Sequence, residues 1–334
     1  MWCFYFITLN INANVSHLRS DMRRLKLVMA IIGMVVIVGT AVFCIYYFSK
    51  TDKNAKVVAT TFPIYDICRE LLGNSDDLAL LEDTGSDMHS FSPTTSDNIL
   101  ISNAELFIHI GGESDNWVGG VLETTNNTDL QVLSLIDYVD KLEEHHHHHE
   151  GQEHKEECYD EHIWLSLKNM IKMTETIKTS LIDIFPERQE LIKINAEKYI
   201  NKLSDLESRY QILQDNSNKI IFADRFPFRY LMNDYNLDYY ALFSGCSTES
   251  EAEIESITEI INAINASNAN YIFILENTDR KIANNILSNH NCKQGVEILT
   301  LNSCQSININ NIENISYLQI MEDNLENLKK AVNL

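Results

Sequence analysis

The chain has 334 residues, 45% of them apolar, and a formal charge of −22 from 48 acidic and 26 basic side chains. That length accommodates two ordinary cores, and the apolar content excludes a wholly disordered chain. The negative field argues against nucleic acid and anionic lipid headgroups as partners and concentrates cations at the surface.

Residues 27–48, LVMAIIGMVVIVGTAVFCIYYF, carry no formal charge. At about 1.5 Å per residue they can cross a hydrocarbon layer of about 30 Å. Met22, Arg23, Arg24 and Lys26 precede the segment, and basic residues on that side place it in the cytoplasm. Everything after Lys50 is then extracytoplasmic. Residues 1–55 therefore read as a cytoplasmic leader and a transmembrane anchor or signal segment. Phe43 before Cys44 argues against lipid attachment, an uncleaved anchor is favoured, and Met22 is a candidate start.

The next elements follow in quick alternation. A strand is expected at 56–60, a turn at Pro63, and a helix at 64–72 stopped by Gly73. DLALLED gives a short strand that runs into the polar loop TGSDMHSFSPTTSD, whose last Ser and Thr can cap a helix reaching about Ala104. ELFIHIGG and LQVLSLI supply two more strands. Alternation of this kind is the pattern of a small α/β lobe with a mainly parallel sheet.

The stretch YVDKLEEHHHHHEGQEHKEECYDEHIWLSL interrupts it. His145, His146, His147, His148, His149 and His154 lie among glutamates without periodicity, so 143–157 reads as a loop. Imidazole and carboxylate together bind zinc, nickel or copper loosely, and metal capture stands beside plain solvated low complexity. Two helices follow, 162–185 and 186–213. The second carries Leu191, Ile194, Tyr199, Leu203, Leu206, Tyr210 and Leu213 as its apolar stripe, with Pro186 in its first turn.

Four more strands, NKIIFAD, LDYYALF, ANYIFILEN and GVEILTLN, alternate with helices at 247–266, 279–289 and 316–333. Acidic residues near Glu249 and the late Lys329 and Lys330 suit the helix dipoles. The expected fold is α/β, with two similar lobes, each a mainly parallel sheet flanked by helices, joined by a long backbone helix. The expected boundaries are 56–165 for an N-terminal metal-binding lobe, 166–215 for the linking helix region and 216–334 for the C-terminal lobe. The cleft between the lobes is the default site.

His89 lies in the loop after the second strand, at the carboxyl end of a parallel sheet where ligands are held. His162 immediately precedes the apolar IWL. Together they can supply half of a tetrahedral zinc site. His109, inside a strand, reads as a packed core residue and His290 as superficial. The chain has no C-x-x-C pair and no H-E-x-x-H motif, which supports neither a zinc ribbon nor a zincin hydrolase.

The segments VVATTFPIYDICRELLG, GSDMHSFSPTTSDNILISNAELFIHIGG and DEHIWLSLKN resemble the opening strand and helix and the first two ligand regions of cluster A-I solute-binding proteins. These are the metal-binding components of zinc and manganese ABC importers. The histidine-rich loop is similar to that of the zinc-specific branch. The resemblance covers about residue 56 to the end. It implies a monomeric ectodomain that captures Zn²⁺, with Mn²⁺ less favoured, and delivers it to an ABC permease and its ATPase without covalent chemistry.

Carried over by position, the first two ligands are His89 and His162. The third-ligand position holds Arg225, with Tyr230 as the marker, and the final carboxylate position holds Asn302. A guanidinium offers no lone pair to a metal, so Glu249, Glu251, Glu276, loop imidazoles or water remain as completing donors. Arg225 is instead suited to an acidic residue or an anion across the cleft. Cys246 and Cys304, both at strand ends, are the disulfide candidates, with Cys292 as competing partner. A metal-dependent hydrolase and an anchored adhesion or metal-sensing module stay as alternatives.

Overall fold

The computed structural model describes residues 55–81, 88–143, 159–243, 254–307 and 309–334, with a few helical residues between 29 and 40. The chain divides into a unit of residues 1–53 and one of residues 54–334. No helix among the described residues is long and apolar enough to cross a membrane. The transmembrane helix expected at 27–48 is thus not found among them, and most of that segment lies outside the described residues.

In the second unit β-branched Val57 and Val58 open a strand, β1 (Val57–Ala59), buried on both faces. Helix α1 (Phe62–Leu72) follows at once, with Pro63 inside its first turn. The turn expected at Pro63 is corrected, because a first-turn proline lacks only an N–H that the helix could not use. Gly73, at φ 73°, ends the helix in the left-handed conformation that glycine adopts freely. Strand β2 (Leu78–Leu80) leads towards α2 (Thr95–Asn103), where Thr94 and Asp97 form a reciprocal capping box. Strand β3 (Leu106–His109), α3 (Trp117–Thr124) and β4 (Gln131–Ser134) complete the first lobe. Its sheet is all parallel, in the order β2-β1-β3-β4.

Helices α4 (Leu167–Ile184) and α5 (Gln189–Tyr210) then pack against each other. The second lobe contains β5 (Ile220–Phe222), α6 (Arg229–Asp234), β6 (Tyr239–Ala241), α7 (Ile254–Ser267), β7 (Tyr271–Leu275), α8 (Lys281–Ser288), β8 (Glu297–Leu301) and α9 (Tyr317–Ala331). Its sheet repeats the first, parallel and ordered β6-β5-β7-β8. In both lobes the winding direction reverses beside the first strand, which opens a crevice at the carboxyl ends of the strands.

Period-two alternation decides which residues join which core. Val57 and Ala59 turn to a large central cluster, while Val58 and Phe107 turn outward to pack with Ile101, Val118 and Val121. Ile220 and Phe222 face the central cluster, while Ile221 faces Ile260, Ile264 and Ile286. The central cluster contains residues of both sheets and of α1, α4, α5 and α9. One continuous apolar core therefore serves both lobes. The buried stripe of α5 is Ile192, Ala196, Tyr199, Leu203, Leu206 and Tyr210. Leu191 and Ile194, expected in that stripe, are 47% and 49% exposed. They stand about 100° of helical turn or more away from the steady four-three spacing of the buried set.

Two polar connections cross this core. The fully buried Asp66 of α1 pairs with Arg69 and accepts from Tyr199 Oη at 3.2 Å and from the Tyr317 backbone at 3.1 Å, which caps α9. Arg69 also donates to the carbonyls of Ile312 and Ile315. Trp164, wholly buried, donates from Nε1 to Ser303 O at 2.8 Å, and its own carbonyl accepts from Tyr317 Oη at 2.6 Å. No disulfide joins Cys292 to Cys304. Both are buried thiols, so that competing pairing is corrected: Cys292 packs in the outer cluster of the second lobe and Cys304 in the central one. Cys246, the other expected partner, lies outside the described residues.

Asp66→Ala leaves Arg69 part-buried without its carboxylate. It is expected to lower the unfolding free energy by about 3–5 kcal/mol in urea titrations. Trp164→Phe strands the Ser303 carbonyl and is expected to cost about 1–3 kcal/mol in the same measurement; an unchanged midpoint would deny that bond a structural role.

Candidate metal site

His89 sits in a one-turn helix, Met88–Ser90, after β2, anchored by the buried Met88. His162 enters from a distant part of the chain, ahead of Ile163, Trp164 and Leu165, all without exposed surface. That apolar triplet plugs into the central core and leaves little freedom to the residue before it. The structure brings the two imidazoles together, with ring centroids 5.4 Å apart and planes inclined at 57°.

Asp160 orients His162. Its Oδ1 lies 2.9 Å from both the backbone nitrogen and Nδ1 of His162. Burial works to raise the Asp160 carboxyl, but the charge and hydrogen bonds of His162, with Arg229 beyond, outweigh it and hold the group below the ordinary carboxylate range. Facing that carboxylate, Nδ1 of His162 carries a proton, and in the neutral ring the lone pair is therefore on Nε2. The Trp164 ring lies edge-on to His162 at 5.4 Å. From α6, Tyr230 Oη donates to Asp160 O at 2.8 Å and accepts from Leu142 N at 3.1 Å. Burial pushes this phenol up, so it stays protonated as that donor requires. The second lobe thus pins the His162 segment of the first.

Sequence reasoning missed Glu161 and Ser114. Glu161 is 5% exposed. Its Oε1 accepts from Ser114 N at 2.8 Å and its Oε2 from Ser114 Oγ. Ser114 Oγ is in turn 2.7 Å from His89 Nδ1, and Glu161 Oε2 is 3.8 Å from the same nitrogen. Burial raises the Glu161 carboxyl above the ordinary range, with the Ser114 hydrogen bonds opposing it. Gly112 makes room for the group. At φ 94° and ψ −164° it occupies a region open essentially to glycine alone, and a Cβ there would lie 2.7 Å and 2.8 Å from Glu161 Cγ and Cδ. The double glycine closing ELFIHIGG was the available signal for this close approach.

His109, expected as packed core, is half-buried, stacked on Phe107 at 5.6 Å with Nδ1 3.1 Å from Asp115 Oδ2. His290 is exposed as expected. At the carboxyl end of β7, Glu276 accepts from Ser303 N at 2.8 Å and Ser303 Oγ at 2.6 Å. Asn302, after β8, accepts from Cys304 N through Oδ1 at 2.8 Å and exchanges backbone bonds with the Asn324 amide. Arg225, after β5, is half-buried with Nε 3.9 Å from Asp224 Oδ1. Asp224 is fixed by the backbone nitrogens of Arg225 and Leu275, at 2.8 Å and 3.0 Å. Among the described residues no group of three or more His, Cys, Asp or Glu is gathered as a metal would require. The His89–His162 pair is brought together; Glu276 is not joined to it in such a group. Glu249, Glu251, His145, His146, His147, His148, His149, His154 and Cys246 lie outside the described residues.

A family model described as ZnuA, zinc-uptake complex component A, periplasmic, matches residues 57–331. The zinc-binding lipoprotein AdcA of Streptococcus pneumoniae is 26% identical over 288 residues, covering 84% of this chain and 56% of the relative. The chain therefore spans about half the length of such AdcA relatives. The high-affinity zinc uptake system protein ZnuA of Bacillus subtilis is 26% identical over 297 residues, covering 85% of this chain and 89% of the relative. Among solved structures, Zn(II)-bound AdcA from Streptococcus pneumoniae superposes with a TM-score of 0.68 at 26% identity, over 83% of this chain and 57% of the other. The metal-dependent lipoprotein YcdH from Bacillus subtilis, at 23% identity and TM-score 0.69 over 83% of this chain and 99% of the other, shares the two-lobed fold. With a match running from β1 to the last turn of α9, the chain belongs to the ZnuA family.

Proposed function

We propose that this chain is the extracytoplasmic zinc-binding component of a metal importer, a binding protein and not an enzyme. Zn²⁺ is its cargo, taken up between the lobes and handed to an ABC permease driven by a cytoplasmic ATPase. The observation that carries this reading is the pair His89 and His162, brought from separate segments to ring centroids 5.4 Å apart. Family membership supports it, as do relatives named for zinc binding and zinc uptake. Two imidazoles suit zinc better than manganese, which prefers oxygen.

In this reading Nε2 of His162 is one donor and His89 provides the second. Glu276, Glu249 or water completes the shell, and Arg225 contributes charge and no lone pair. The loop 143–157 collects metal at weaker, less ordered sites. Residues 56–165 form the capturing lobe, 166–215 the link and 216–334 the second lobe, with 1–55 holding the chain to the membrane. Because one apolar core runs through both lobes, release proceeds by local loop movement and not by wide rotation.

Zinc titration of the purified protein, followed by calorimetry, tests the assignment. Tight one-to-one binding is expected to disappear in His89→Ala and in His162→Ala and to survive removal of 143–157, which should delete only weaker sites. Loss of tight binding on the deletion alone would make the loop the receptor and overturn the reading. Solution scattering with and without zinc is expected to give nearly the same radius of gyration; a large closure would contradict release by local loop movement.

A further inference from the structure

Two adjacent carboxylates stand behind the two histidines, and they reach them differently. Asp160 touches the His162 ring directly. Glu161 reaches His89 through a hydroxyl: His89 Nδ1 lies 2.7 Å from Ser114 Oγ, which is bonded to Glu161 Oε2. Ser114 Oγ is bonded to both groups. Facing the ionised form of Glu161, which only accepts, the single hydroxyl hydrogen of Ser114 points to the carboxylate. Ser114 Oγ is left to His89 as an acceptor, and Nδ1 of His89 must be the donor. The lone pair is then on Nε2, as it is in His162.

We infer that Ser114 and Glu161 are positioning residues for metal capture, fixing His89 in the tautomer and orientation that present Nε2 to the ion; this rests on the reading of His89 as a zinc donor. Three observations support the role. Ser114 is held twice, because its backbone nitrogen donates to the other oxygen of Glu161 at 2.8 Å. Glu161 is buried, with its side chain packed directly over the Cα of Gly112 where a Cβ would lie 2.7 Å from its Cγ. Finally, Glu161 is placed to support and not to ligate, since both its oxygens accept hydrogen bonds from Ser114 and Oε2 lies on the Nδ1 side of the ring. A carboxylate behind a ligating histidine sets the tautomer and raises the basicity of the opposite nitrogen. His89 is part-exposed, so without such a hold its ring would be divided between tautomers and rotamers.

The test uses the full chain, and its first readout needs no metal. Imidazole ¹⁵N shifts of the metal-free protein are expected to show His89 protonated at Nδ1; protonation at Nε2 overturns the proposal. Zinc affinity is then measured by competition with a chromophoric chelator at fixed pH. Ser114→Ala and Glu161→Gln are each expected to weaken binding about 10–100-fold. The double variant should be no weaker than the poorer single one, because both break one chain. Ser114→Thr keeps the hydroxyl and is expected to restore affinity. Unchanged affinity in Ser114→Ala, or losses that add in the double variant, would also overturn it. Melting curves establish that each variant is folded, and Ser114→Ala at its half-buried position guards against a Glu161 variant that is not. Should the unmodified chain take up no zinc, the function proposed above fails by itself, while the imidazole shifts still decide the chain of hydrogen bonds.

Discussion

The geometry of the candidate site depends on one buried indole. Trp164 is held at both ends by the second lobe, through Ser303 O on its ring nitrogen and Tyr317 Oη on its carbonyl. Two residues earlier in the chain is His162, and two before that is Asp160, whose carbonyl takes the Tyr230 hydroxyl. The segment that carries His162 is thus fixed by groups of the other lobe. In a dry interior each of these hydrogen bonds is costly to leave unmade, so the imidazole is positioned by polar satisfaction as much as by apolar packing.

The continuous core sets the mechanical character of the molecule. Solute-binding lobes joined only by flexible strands can swing, since little apolar area separates on opening. Here residues of both sheets, of the linking helices and of α9 share one cluster. Pulling the lobes apart would expose much of that surface to water, at about 25 cal/mol per Å². The buried Asp66–Arg69 pair, bound to Tyr199, Tyr317 and the carbonyls of Ile312 and Ile315, stiffens the same joint. Its carboxyl is pushed up by burial against the pull of Arg69, a balance typical of ions kept inside a protein by their partners.

The two sides of the crevice are chemically unequal. The first lobe brings imidazoles with lone pairs and carboxylates behind them. The described part of the second brings Glu276, already bonded to Ser303, Asn302, committed to its own turn and to Asn324, and the cationic Arg225. Among the described residues the paired imidazoles come from the first lobe, and the second fastens the segment that carries one of them.

Much of this was legible in the chain itself. Alternating apolar strands and capped helices determined two parallel-sheet lobes, because period-two and period-3.6 patterns are local properties. Two histidines in unrelated segments, one in a loop after a strand and one before IWL, were singled out, and the structure brings their rings together. Other features were not legible. The stripe on α5 was misread at Leu191 and Ile194 because two registers differ by a single residue, and only the packing partner chooses between them. Pro63 looked like a break but begins a helix, since its cost vanishes in a first turn. Glu161 and Ser114 lie 47 residues apart, and a carboxylate beside a histidine in sequence says nothing of which ring it will reach. The sequence by itself determined the lobes, their strands and the identity of the paired imidazoles. Only the tertiary structure decided their separation, their orienting partners and the shared core, because those follow from which distant groups must satisfy one another once water is excluded.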